Sequence, residues 1–149
     1  MRPPEYWINN LQLLPHPEGG FCKETYRSGE IIKRPGLPAR FTALRTFSTA
    51  NYFLLRSQDK SLFHRIKSDE LWHFHSGGVL QIAVLTRHGV NLLKLGDDLE
   101  SGQSLQVTIP ANCWFGAKVI SPDAYVLSSC TVSPGFDFLI LNWQIAKPW

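Results

Sequence analysis

Two patterns within residues 64–75 carry side chains able to do chemistry. His73-Phe74-His75 sets two imidazoles two positions apart. A β-strand places such a pair on one face, a common way to hold a metal ion. His64 and Glu70 offer acid–base chemistry instead. An imidazole base needs its second nitrogen held in one tautomer, and a carboxylate does this well. The pair then suits removal of a proton next to a carbonyl. The same two groups can also be a hydrogen-bonded pair that only satisfies buried polarity.

A metal centre needs three or four converging ligands. Ser76, Gly77, Gly78, Val79 and Leu80 follow His75, so no carboxylate arrives at a useful spacing. Strand parity separates the two patterns further. With His64, Ile66 and Glu70 pointing into a barrel, Trp72 and Phe74 follow inward. His73 and His75 then point outward, unless a bulge shifts the phase.

The elements that must position these groups read as strands. Residues 3–14 predict a short helix, with Pro3 and Pro4 in the first turn and Trp7, Leu11 and Leu14 on one face. PHPEGG (15–20) is a turn. β-type runs follow at 21–27, 40–47, 51–57, 62–67, 70–75, 79–86, 90–95, 105–109, 124–132 and 136–145. Short strands with turn signals every ~8–12 residues predict a β-sandwich or barrel.

The 149 residues suit one domain, 1–149. With 44% hydrophobic and 18% charged residues, a core is available and disorder is not expected. A formal charge of +3 without Lys/Arg runs interleaved with aromatics argues against a nucleic-acid surface. MRPPEYWINN has no apolar signal region, and no apolar run approaches the ~18 residues of a membrane span. Cys22, Cys113 and Cys130 are odd in number and far apart, as expected of reduced thiols in a cytoplasmic protein.

His64, Ile66, Glu70 and Gly77 form H-x-I-x3-E-x6-G. This resembles the first cupin motif, with the second His replaced by Ile66 and the leading Gly by Gln58. The second motif is matched more loosely. Pro110-Ala111-Asn112 stands for P-x-G, where Asn tolerates the left-handed conformation that Gly would supply. Phe115 takes the ligand-His position, Val119 takes the Asn position, and Gly102 is displaced by two residues. The blocks PHPEGGFCKETYRS, TALRTFSTANYFLL, SLFHRIKSDELWHF and TVSPGFDF, across residues 15–138, resemble a branch of the cupin superfamily whose activity is not established. The resemblance implies an all-β fold, a double-stranded β-helix (jelly-roll) barrel with a short N-terminal helix. It also implies a homodimer, and a fold similar to sugar-nucleotide epimerases. Ile66 and Phe115 cannot ligate a metal ion, so neither a metal nor another cofactor is expected.

The expected partner is a small anionic or sugar-bearing molecule, a nucleotide or nucleotide-sugar, bound in the barrel. His64 is the candidate base, Glu70 its orienting partner, and Tyr26 or Tyr52 an acid opposite. Arg27 and Arg45 are candidates for an anionic group. Trp72, Phe74, Trp114 and Phe115 offer ring faces, though plain core packing is the favoured account of any single one. Glu18 lies in the HPEGG turn and Glu24 beside it, and the turn reads either as a lip over the barrel mouth or as the turn that registers the first strand. A metal-independent isomerase or epimerase and a non-catalytic binding module both fit these residues.

Overall fold

The computed structural model describes residues 1–143. One helix, α1 (Pro4–Asn10), precedes thirteen strands. The first seven are β1 (Leu14–Pro15), β2 (Phe21–Arg27), β3 (Ile31–Ile32), β4 (Arg45–Thr46), β5 (Thr49–Arg56), β6 (Lys60–Ile66) and β7 (Asp69–Gly77). The rest are β8 (Leu80–Thr86), β9 (Gly89–Leu95), β10 (Gln106–Ile109), β11 (Trp114–Val119), β12 (Tyr125–Ser133) and β13 (Leu141–Trp143).

Two antiparallel sheets face each other, in the orders β1-β2-β5-β12-β7-β10 and β13-β6-β11-β8-β9. From β5 to β8 and from β9 to β13, successive strands alternate between the sheets, the winding of a double-stranded β-helix. The sandwich core holds Phe53, Trp72 and Cys130 from one sheet against Ile82, Val84, Phe115 and Ala117 from the other. A smaller cluster of Leu37, Phe41, Ile66, Val132 and Ile140 closes one end. No helix among the described residues is long and apolar enough to cross a membrane.

Inward–outward alternation on β7 follows the expected parity. Glu70 and Trp72 are buried and Phe74 packs against the core. His73 and His75 lie on the outer face, where each binds a hydroxyl of β12: His73 Nε2 to Thr131 Oγ1 at 3.2 Å and His75 Nε2 to Ser129 Oγ at 2.9 Å. A bulge does occur, but it falls at His75 and leaves the inward phase of Glu70, Trp72 and Phe74 unchanged.

Several elements differ from the sequence expectation. The helix ends at Asn10, not residue 14, because Gln12 turns into positive φ. Trp7 and Leu11 pack with Leu13 and Leu54 on the outer face of the larger sheet, while Leu14 is exposed. Trp7 Nε1 donates to Tyr125 Oη at 2.7 Å and pins the helix there. Of the run 40–47, only Arg45–Thr46 is a strand, since Phe41 plugs the smaller cluster. β11 was not expected at all. Gly116 interrupts its apolar pattern, yet a Cβ there would lie 2.6 Å from the Phe63 ring, so the strand needs glycine for packing. In the run 136–145 a 3₁₀ turn, Phe138–Ile140, precedes β13, and residues 144–145 lie outside the described residues.

Candidate active site in the barrel

The HPEGG turn builds the site. Gly19 has φ 103°, and a Cβ there would fall 2.0 Å from the Lys60 carbonyl oxygen. Only glycine lets the turn press this closely on β6. The Leu62 N–H donates to Glu18 O at 2.9 Å and locks the contact. The Glu18 N–H donates to His16 Nδ1 at 3.1 Å, which orders the turn from within. Docking the turn here carries the Glu18 side chain inward toward His64, two residues beyond Leu62 on β6.

Glu18 Oε2 and His64 Nε2 are 3.3 Å apart, and both residues are buried. His64 Nδ1 lies 2.7 Å from Leu62 O, an acceptor, so the proton sits on Nδ1 and Nε2 presents its lone pair to Glu18. Burial, reinforced by Glu70, pushes the Glu18 carboxyl up to about 8. Burial lowers His64 to about 4, helped by nearby His16. At neutral pH the pair is thus an uncharged carboxylic acid facing an uncharged imidazole.

The two groups line a cavity of about 280 Å³ between the sheets. Glu70, Trp72, Cys130 and Ile66 line it as well. Burial raises Glu70 to about 7. The Cys130 thiol and the Trp72 indole, which both face Glu70, hold that rise back. The Trp72 Nε1–H nevertheless completes no hydrogen bond of good geometry. Phe115, wholly buried, sets its ring 4.3 Å from the His64 ring and edge-on to Trp72.

The expected residues separate into two groups. His64, Glu70, Trp72 and Arg27 line the cavity. Arg27 sits at its mouth, with Nε and Nη2 on the Glu24 carboxylate at 2.8 and 2.7 Å and Nη2 also 3.1 Å from Phe136 O. Phe115 supports His64 from behind. Tyr26 is half exposed on β2 and does not line the cavity. Tyr52 packs on the outer face near His75. Arg45 is buried behind the wall and donates to Gly135 O at 2.9 Å. Phe74 is a core residue, and Trp114 lies outside under the Arg65 guanidinium. The partner of His64 is Glu18, not Glu70, because the HPEGG turn reaches across from the other sheet. His16, Ser61, Cys22 and Cys130 also line the cavity without a sequence signal of their own. The one available hint was the Glu directly before Gly-Gly, a side chain placed where the backbone can approach closely.

A cupin-type metal centre does not fit these residues. Ile66 faces the cavity where a second histidine would stand, and Phe115 fills the place of another ligand. Among the described residues no three His, Cys, Asp or Glu side chains are grouped to hold an ion.

Relatives place the fold. A hypothetical protein from Leishmania major superposes with a TM-score of 0.85 at 34% identity, covering 95% of this chain and 86% of the other. Protein SO0799 from Shewanella oneidensis does so with 0.85 at 35% identity, covering 97% and 85%. The uncharacterized protein YML079W of Saccharomyces cerevisiae is 32% identical over 142 residues, which is 88% of this chain and 70% of the yeast protein. The family model described as "Cupin superfamily (DUF985)" matches residues 5–142. With that match over nearly all of its length, on a double-stranded β-helix, the chain belongs to the DUF985 family of the cupin superfamily.

Proposed function

We propose that this chain binds a small sugar-bearing ligand in the barrel and moves a proton on it, as a metal-independent isomerase or epimerase. The observation that carries this reading is the Glu18–His64 pair: an acid that keeps its proton and a base with a free lone pair, 3.3 Å apart inside one cavity. His64 Nε2 takes the proton from a carbon next to a carbonyl while Glu18 delivers its own to the carbonyl oxygen. An enediol results, and the pair has exchanged protonation. Proton return to the opposite face gives an epimer, and return to the neighbouring carbon gives an isomer. Glu70, titrating near neutrality, is the third proton-bearing group within reach of the ligand.

The cavity, about 280 Å³, is near the ~300 Å³ lower end of small-molecule sites. It suits a group of monosaccharide size. The nucleotide of a nucleotide-sugar would lie at the mouth, beside Arg27, Phe136 and Phe138. A non-catalytic binding module is the second reading, favoured by the tight packing of Phe115 on His64.

Solvent-deuterium incorporation, followed by NMR over a panel of hexoses and nucleotide-sugars, tests the proposal. Exchange that disappears in His64→Ala supports it. Binding without exchange in any member leaves the binding module.

A further inference from the structure

Four carboxyl groups line the cavity: Glu18, Glu24, Glu70 and Asp137. The single guanidinium lining it, Arg27, is already forked onto Glu24 and bonded to Phe136 O. Arg45 points its Nη2 at Gly135 O, outside the lining. His64 spends its N–H on Leu62 O, and His16 Nδ1 accepts from the backbone. Among the described residues no cationic side chain lines the cavity floor, and Arg45 meets the lining only through Asp137, 3.9 Å from its Nη2.

Three buried donors among the described residues, by contrast, are left over: Arg45 Nε, on a residue outside the lining, and two on lining residues. Ser61 Oγ and Trp72 Nε1 belong to residues that line the cavity, are almost wholly buried, and complete no hydrogen bond of good geometry, the Trp72 N–H facing Glu70 without reaching one. Buried donors without a well-placed acceptor are costly and rare in a folded protein, so two of them lining one cavity, Ser61 on β6 of one sheet and Trp72 on β7 of the other, call for a ligand oxygen. The glutamic acids on the floor add O–H groups that likewise donate.

We infer that the floor of this cavity takes an uncharged oxygen-bearing group, a hydroxyl or carbonyl of a sugar or polyol, with Ser61 and Trp72 as its positioning donors, and that it turns away phosphate and carboxylate. The inference rests on the ligand half of the proposed function and narrows it. An anion on the floor would be buried beside the Glu18 and Glu70 carboxyls without a counterion, which is strongly unfavourable, while Glu24 and Asp137 lie half exposed nearer the mouth with Arg27 and Arg45. A charged part of the ligand meets a cation only at the mouth, on Arg27. Ser61 and Trp72 contact the ligand and not the transferred proton, so their loss weakens binding more than turnover.

The experiment uses the full chain and ligand-observed NMR with fructose, glucose and sorbitol as neutral probes, and acetate and inorganic phosphate as competitors. At least one neutral probe binds. Neither small anion displaces it, or displacement vanishes in Arg27→Gln, which places the anion at the mouth. Ser61→Ala weakens the neutral probe about tenfold, the value of one good hydrogen bond to a buried group. Its melting temperature stays equal to wild type or rises, because an unpaired donor has been removed; a merely structural serine would lower it. Trp72→Phe, which keeps the ring and deletes the N–H, repeats the loss. The inference is overturned if no neutral probe binds at ~100 mM, if anion competition survives Arg27→Gln, or if both variants bind as wild type does. Deuterium incorporation on the same samples keeps the two proposals separate. Neutral binding without exchange removes the proton-transfer reading alone, and exchange with anion-competitive binding removes this inference alone.

Discussion

Glu18 and His64 come from opposite sheets, Glu18 from the turn before β2 and His64 from β6, and meet at 3.3 Å with the proton on the carboxyl side. Burial sets most of this order, with Glu70 and His16 adding to it: the acid is raised to about 8 and the imidazole lowered to about 4. In water their usual order would transfer the proton to histidine. Inside the barrel neither ion is tolerated, so the neutral pair persists across the physiological range.

Activity on a responsive sugar should therefore follow a bell in pH. The acid limb reflects protonation of His64 near 4 and the alkaline limb loss of the Glu18 proton near 8, both as macroscopic values of the pair. Glu18→Gln keeps shape and neutrality but has no proton to give. Turnover should fall by about 10²–10⁴, with little change in melting temperature at pH 4.5, where the carboxyl is protonated in wild type. Steady-state rates from pH 3.5 to 9.5 check both, and a Glu18→Gln variant of wild-type activity would remove the acid role.

Gly19→Ala tests the turn that creates the pair. The new Cβ would meet the Lys60 carbonyl at 2.0 Å, and φ 103° is unfavourable for any L-residue. A destabilisation of about 2–4 kcal/mol is expected in urea unfolding, by backbone strain and overpacking together. In the fraction that folds, Glu18 is displaced and activity falls with it. A variant as stable and active as wild type would show that the close approach is dispensable.

A β-sandwich or barrel was legible because strand parity and turn spacing are local properties, and the double-stranded β-helix followed from the resemblance of the motif blocks. Glu70, Trp72 and Phe74 inward with His73 and His75 outward needed only period-two alternation. Asn112, standing where the motif has glycine, does adopt φ 64°. The Glu18–His64 contact was not legible. It depends on how a six-residue turn docks across to β6, a tertiary contact that leaves no periodic trace. The shortened helix and the hidden β11 failed for related reasons. Leu13, not Leu14, is the residue the sheet buries, and Gly116 serves its neighbour Phe63 in place of its own strand's propensity.

A homodimer is proposed from the open edge of β2. β1 pairs only with Phe21 and Cys22, so Lys23–Arg27 has no strand partner on that side among the described residues. Tyr26, Ile31 and Phe47 on and near this edge are each about half exposed. Pairing with a second copy would cover the edge and these side chains. Light scattering should give twice the 16.9 kDa chain mass at micromolar concentration. Tyr26→Lys should shift that mass toward the monomer. A wild-type monomer at those concentrations would dismiss the dimer.

Stability should fall with pH above 6.5, and the three buried groups say how. Glu70 is raised from 4.5 to about 7 and Glu18 from 4.5 to about 8, so each stays protonated in the folded chain after the unfolded chain has ionised. Their contribution is complete below pH 4.5 and is lost as pH climbs through 7 and 8 respectively. His64 acts oppositely. Lowered from 6.5 to about 4, it contributes stability above 6.5 that is lost as pH falls toward 4. Between 4.5 and 6.5 the histidine offsets part of the loss from the acids. Between 6.5 and 7 both acids act unopposed and the decline is steepest, and from 7 to 8 Glu18 alone continues it. Glu70→Gln should remove the first of these components, leaving the variant on the order of 1–3 kcal/mol more stable relative to wild type at pH 8 than at pH 4.5. The double variant with Glu18→Gln should be nearly flat above pH 6.5. Urea unfolding at pH 4.5, 6.5, 7 and 8 reads all four points. A wild type whose stability rises from pH 6.5 to 8 would show that the carboxyls are ionised in the folded barrel, and that the neutral acid on which proton delivery by Glu18 depends is absent.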